Sequence, residues 1–221
     1  MDRYPFIVIE GLDGTGKTTL RRGLFRLFEG LFRVTPLTLL TTNFLNEAVA
    51  PDLVEGKYQP TAENRDRYLA ALAADKQATA DRLIAPSLSA RPVIADRWLL
   101  SELAFFAVKH HRAPKETYRL LTEQLHLVPD LTLVLDITPG AAIERAADRP
   151  GDATRPDWDV IDVQTRVREV YRCVEDSAGA YPAVGRGVRI NAAQDRATVL
   201  HTAWQTLAEH DLLPDYDRAA W

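Results

Sequence analysis

The stretch Phe6-Ile7-Val8-Ile9-Glu10-Gly11-Leu12-Asp13-Gly14-Thr15-Gly16-Lys17-Thr18-Thr19-Leu20 decides how this chain folds. An apolar run breaks into a glycine-rich turn, and apolar residues return at helical spacing as Leu20, Leu24, Leu27, Phe28 and Leu31, so strand, turn and helix follow one another. Within it, Gly11, Gly16, Lys17 and Thr18 satisfy GxxxxGK[ST]. The residues Gly11, Leu12, Asp13, Gly14, Thr15, Gly16, Lys17, Thr18 and Thr19 therefore read as a phosphate-binding loop. Its backbone N–H groups curl around phosphate oxygens, Lys17 reaches the β- and γ-phosphates, and the Thr18 hydroxyl suits Mg2+. The helix opening at Gly16 adds the positive end of its dipole.

Outward from this loop, the chain alternates strand and helix signals. Val34–Leu40 reads as a second strand, running into the polar turn Thr41-Thr42-Asn43. Pro51, Gly56 and Pro60 break the next stretch into a short helix and a loop. A long helix is expected from Thr61, ending before Pro86. Arg91–Ala95 is a third strand, with Asp96-Arg97-Trp98 leaving its carboxyl end, the usual side of a ligand crevice. Two helices follow, the second opened by Pro114, and then a fourth strand over Leu131–Ile137. Thr138 is read as the cap of the next helix. Between Asp148 and about residue 160, the Pro, Gly, Asp and Arg content is that of a loop covering a site, read here as a lid. A helix, a short strand at Val188–Ile190 and a closing helix complete the pattern.

The 221 residues, 46% hydrophobic and 26% charged, suit one soluble α/β domain that buries both faces of a sheet. A formal net charge of −4 argues against broad nucleic-acid binding, so an anionic substrate must be met by local arginines and lysines. Neither a secretory signal nor a membrane span is expected. The one cysteine, Cys173, cannot close an internal disulfide, which fits a reducing cytoplasm. The five histidines show no metal-ligand spacing.

Taken in order, the phosphate loop, Asp96-Arg97, the segment Pro129-Asp130-Leu131-Thr132-Leu133-Val134-Leu135-Asp136, and the arginine-bearing lid resemble the thymidylate kinases. Arg166-Val167-Arg168-Glu169-Val170-Tyr171 is similar to that family's VRxxY helix, and the likeness runs from about residue 4 to residue 180. It implies a P-loop NTPase fold with a mainly parallel five-stranded sheet in the order 2-3-1-4-5 and helices on both faces. It also implies ATP as phosphoryl donor, Mg2+, small nucleotide substrates and a homodimer. By resemblance, Lys17 holds the donor phosphates, Thr18 and Asp96 serve the metal, and Asp13 touches the acceptor sugar or orders water on Mg2+. Arg97 holds the acceptor phosphate, and Ser101 matches the serine after the family's Asp-Arg-aromatic motif. Thr15 stands where some members carry a basic residue, so the catalytic arginines are expected from the lid as Arg149 and Arg155, with Arg145 behind them.

The acceptor half departs from the family pattern. Thr41-Thr42-Asn43-Phe44 stands where Thr-Arg-Glu-Pro is usual, so an anion-gripping arginine is missing. Leu72-Ala73-Ala74-Asp75-Lys76 replaces Phe-Ala-Ala-Asp-Arg, setting leucine and lysine at the acceptor-binding positions of a stacking phenylalanine and a forked arginine. Lys76, Arg65 and Arg67 are candidates for the second phosphate contact. Ala104-Phe105-Phe106-Ala107 replaces Ala-Tyr-Gln-Gly; Phe105 and Trp98 are read as packing. Asp136 is open to two readings, a carboxylate near the metal or a structural one. The favoured function is ATP-dependent phosphorylation of a nucleoside monophosphate such as dTMP. Its rivals are a nucleoside or small-alcohol kinase, in which Asp96 would act as base, and a nucleotide-binding module. A GTPase-like switch is disfavoured, because Asn-Lys-x-Asp is absent from the sequence.

Overall fold

The computed structural model describes residues 3–58, 61–148 and 157–214. Strand β1 (Phe6–Gly11) is buried at every position, because it is flanked on both sides by other strands and covered on both faces by helices. This explains its unbroken apolar run. It pairs in parallel with β3 (Val93–Asp96), matching Ile7 to Ile94, and with β4 (Leu131–Asp136), matching Ile7 to Leu131. With β2 (Leu37–Leu40) outside β3 and β5 (Gly187–Asn191) outside β4, the sheet is all parallel in the order β2-β3-β1-β4-β5. The carboxyl ends of β1 and β3 thus lie side by side, where the phosphate loop and Asp96-Arg97 emerge.

Helix α1 (Lys17–Phe32) buries Leu20, Leu24 and Phe28, and α9 (Arg196–Glu209) lies close against it. A Cβ added at Gly23 would stand 2.9 Å from Leu200 Cδ1, so this glycine sets how near the two helices come. A short 3-10 turn leads into α2 (Ala50–Tyr58), which accommodates Pro51 in its first turn. Gly56 lies under the ring of Tyr68 from α3 (Arg65–Thr79). The remaining helices are α5 (Leu99–Lys109), α6 (Pro114–Thr122), α7 (Pro139–Ala147) and α8 (Ile161–Asp176).

Three local expectations are corrected. The long helix does not stop before Pro86: α3 passes through a π-turn at Ala80–Ile84 into α4 (Ala85–Ser87), with Pro86 inside it. The wider turn shifts the backbone pairing, and Pro86 falls in the first turn of the new segment, where no N–H is needed. Strand β2 starts at Leu37 rather than Val34, since Leu37 N–H makes the first bond, to Pro92 O at 2.9 Å, and Pro36 has none to give. Thr138 precedes α7 without a side-chain capping bond, whereas Asp195 caps α9 through Ala197 N–H and Thr198 N–H.

Candidate active site

The phosphate loop is shaped by backbone that only glycine adopts without strain. Gly11, Gly14 and Gly16 have φ of 143°, 88° and 94°, and a Cβ at Gly14 would stand 1.9 Å from the carbonyl oxygen of Ala142 on α7. Lys17 folds over the loop, donating to Gly11 O at 3.0 Å and Leu12 O at 2.7 Å, with Asp13 at 3.6 Å. Burial pushes its ammonium down to about 7; Arg97 adds to the effect, and Asp13, Asp96 and Glu10 oppose it. No side chain caps α1, so the first N–H groups of the helix are left for an anion.

Across from the loop, Arg97 holds a left-handed backbone conformation with φ 76°, and its N–H donates to Ile9 O at 2.9 Å. A non-glycine residue held this way is strained, and the surrounding contacts over-determine its position. Its guanidinium donates to Asp13 of the loop, to Ser101 Oγ at 2.8 Å and to the Tyr171 hydroxyl at 3.2 Å. Burial opposes the charge, but Tyr171, Asp13, Glu10 and Asp96 outweigh it and keep the guanidinium protonated. Asp96 stands 3.8 Å from Arg21 Nε, a loose contact that leaves lone pairs open.

Glu10 was missed by sequence reasoning. Fully buried at the end of β1, it accepts from Trp98 N–H at 2.8 Å, Ser101 N–H at 3.3 Å and the Ser101 hydroxyl at 2.5 Å. It thereby caps α5 from another strand and fixes Ser101 beneath Arg97. The one signal was an acid inside an otherwise apolar strand.

A cleft of about 490 Å3 opens beside Asp13 and Arg97. The rings of Tyr68, Phe105 and Trp158 are also among its walls. Phe105 therefore faces the cleft, whereas Trp98 is core at 1% exposure. Leu72 and Lys76, expected on the acceptor wall, are each 1% exposed and lie beneath it. Lys76 is held there by donation to Thr41 O at 3.0 Å, by Glu102 at 3.1 Å and by the Trp98 ring at 4.7 Å. The other proposed substitutes also turn away: Arg65 pairs with Asp66, and Arg67 with Asp52 and Glu55. The second cation in the cleft lining is Lys109, which donates to Asp157 Oδ2 at 2.8 Å and sits over Trp158.

After β2 the chain wraps the buried Asp75 carboxylate, which accepts from the N–H groups of Asn43, Phe44 and Asn46. This brings Thr41 and Thr42 to the cleft. Of the two readings for Asp136, the structure favours the structural one: a bidentate pair with Arg168 at 2.6 and 2.9 Å and a contact with Arg172 at 3.0 Å outweigh burial and lower its pKa. Arg145 donates to Ala192 O at 2.6 Å, tying α7 to the chain after β5. Arg149 and Arg155 lie outside the described residues.

The model of the thymidylate kinase family matches residues 9–181, from the phosphate loop to the end of the Tyr171 helix and beyond. The chain belongs to the thymidylate kinase family. Among its relatives in that family, a probable thymidylate kinase of Staphylothermus marinus is 34% identical over 175 residues, which is 77% of this chain and 81% of that protein. A probable thymidylate kinase of Thermococcus gammatolerans is 28% identical over 215 residues, covering 94% of this chain and 97% of its own. The thymidylate kinase of Clostridium novyi is 26% identical over 178 residues, 77% of this chain and 84% of that enzyme. Membership makes the chain a nucleotide kinase with the P-loop NTPase fold. None of its described helices is long and apolar enough to cross a membrane.

Proposed function

We propose that this protein, as one kinase domain with a lid over residues 148–160, transfers the terminal phosphoryl group of ATP to a nucleoside monophosphate, dTMP or a related deoxynucleotide. The carrying observation is the placement of Arg97. Its guanidinium meets Asp13 of the phosphate loop in a cleft also lined by the rings of Tyr68, Phe105 and Trp158, which supports a reading with donor phosphate, acceptor phosphate and base as neighbours. Phosphoryl transfer needs little covalent chemistry, only positioning and charge neutralisation. In this reading Lys17 and the N–H groups opening α1 hold the donor, Arg97 aligns the acceptor, and Ser101 with Glu10 holds Arg97 in place.

The oxygens near the loop suit Mg2+. The Thr18 hydroxyl is exposed and takes no hydrogen bond among the described residues, and Asp96 has only its loose contact with Arg21. Among the described residues no three His, Cys, Asp or Glu are grouped so that they could hold a metal ion by themselves, so the metal would depend on substrate phosphates for further ligands, as Mg2+ commonly does. Bound Mg2+ supplies neutralisation of the phosphate oxygens during transfer.

A second reading, phosphorylation of a nucleoside hydroxyl, is favoured by one observation: Thr41 and Thr42, not an arginine, line the cleft after β2. One ATP-consumption screen with dTMP, dUMP, dCMP, dGMP, thymidine and other nucleosides separates the two. Turnover of monophosphates is expected. Turnover of thymidine but not dTMP would transfer the assignment to a nucleoside kinase, and turnover of nothing in the panel would leave a binding module.

A further inference from the structure

The acceptor cleft carries a buried carboxylate that the proposed reaction does not use. Glu102 lies on α5 next to Ser101 and three residues before Phe105, so it shares with Phe105 the helix face that lines the cleft. Its side chain is 7% exposed and lines the cleft. One oxygen, Oε1, is occupied: Lys76 stands at 3.1 Å and the Thr41 hydroxyl donates to it at 2.7 Å. Among the described residues, Oε2 takes no hydrogen bond. Lys76 and Thr41 therefore lock the carboxyl group from behind and leave its second oxygen with lone pairs to offer. Tyr68, another wall of the cleft, is close enough for this carboxylate to reinforce the effect of burial in suppressing ionisation of its hydroxyl. Glu102 thus neighbours the Tyr68 and Phe105 rings, against which a base would lie, and among the described residues it takes no hydrogen bond from Arg97 or Lys17.

We propose that Glu102 reads the acceptor's base by accepting a hydrogen bond from an exocyclic amino group, so that amino-bearing bases are preferred to thymine and uracil. The proposal rests on the monophosphate reading and narrows it, from dTMP or a related deoxynucleotide to the amino-bearing nucleotides among them. A carboxylate oxygen accepts and cannot donate. Cytosine, adenine and guanine offer an amino group, while thymine and uracil offer carbonyl oxygens with one ring N–H between them. Thymine and uracil can donate to the carboxylate only through that ring N–H, which brings the flanking carbonyl lone pairs against a buried negative charge, and an exocyclic amino group avoids this. Lys76 does not reverse this sense, because it lies beneath the wall with its charge already met by Glu102.

The test uses dCMP and dUMP, which differ at ring position 4, amino against carbonyl, with the N3 proton that follows. Steady-state kinetics and calorimetric binding are measured for both on the full chain. The wild type is expected to favour dCMP by about tenfold or more, chiefly in KM. Glu102→Gln keeps an oxygen for Lys76 and Thr41 and turns an amide N–H into the cleft, so the preference should reverse toward dUMP. A structural role alone would lower both activities and leave their ratio unchanged. If Glu102→Gln does not fold, the double variant Lys76→Met with Glu102→Leu removes both charges together, and its ratio should fall to near one. A wild type that prefers dUMP or dTMP, or a variant ratio equal to the wild-type ratio, overturns the proposal. Binding that favours dCMP without any turnover would uphold the role of Glu102 while ending the kinase reading; equal or absent binding of both nucleotides would end the role of Glu102.

Discussion

Lys17 is 7% exposed, and its ammonium is satisfied by two carbonyls of its own loop. Replacing it with alanine removes charge but no long-range contact, so Lys17→Ala should abolish turnover and keep a native circular dichroism spectrum. Because burial lowers its pKa from 10.5 to about 7, the folded state holds this proton less tightly than the unfolded chain does. The linked penalty is full below pH 7 and is relieved as pH rises from 7 to 10.5, since the unfolded state binds more protons across that window. The deficit in Tm of the wild type relative to Lys17→Met should therefore shrink over that range. A phosphate donor restores the charge, so ATP binding near pH 7.5 should take up a fraction of a proton, seen as a binding enthalpy that depends on buffer ionisation; equal enthalpies in phosphate and Tris would refute this. Lys17 and Arg97 could be named from motif position alone, and the structure brings them to one site. Glu10 and Glu102 could not, because each acts on partners from other elements that only the tertiary fold brings near.

Helix α5 organises the acceptor side, and its start is held by Glu10 from β1 rather than by a cap of its own. Glu10→Ala would strand the N–H groups of Trp98 and Ser101 and let Arg97 lose its seat. Each buried donor left unpaired costs about 1–3 kcal/mol. Denaturant unfolding should show a loss of that order, with a fall in kcat/KM beyond what stability explains; an unchanged midpoint would remove Glu10 from the account. Gly14→Ala should be as severe, since its Cβ would meet the Ala142 carbonyl in a left-handed turn, and loss of nucleotide affinity with retained helix content is the expected signature. Element existence was legible from apolar period, but element ends were not: Pro86 reads as a stop in isolation, and only the π-turn at Ala80–Ile84 shows how the helix accommodates it. Likewise Leu72 and Lys76 share a helix face as their spacing required, yet that face packs under Thr41 and Trp98 instead of lining the cleft.

On the scale of the whole molecule, parallel strands and two covered faces followed from the alternating pattern, whereas the order β2-β3-β1-β4-β5 came from family resemblance, because periodicity carries no information about which strands are neighbours. That order puts the carboxyl ends of β1 and β3 together and so gathers the charges around the donor site. Lys17, Arg97 and Arg21 are there, and so are Asp13, Asp96 and Glu10, three basic groups against three acids. With Lys17 shedding its proton near pH 7, the described residues around the loop carry no excess positive charge before any phosphate arrives, and a transferring phosphoryl group brings charge that this set does not cancel. Beyond Mg2+, the positive charge has to come from residues that approach from outside the set, and Arg149 and Arg155 lie in the segment expected to close over it. Charge that arrives with closure acts on the transition state more than on the ground state. Arg149→Ala and Arg155→Ala should therefore lower kcat more than they raise acceptor KM, at least one of them by about tenfold, equivalent to roughly 1.4 kcal/mol. Steady-state kinetics on both variants decides it: full kcat in each would mean that the lid closes for shelter alone, and that the missing charge is supplied from another part of the chain.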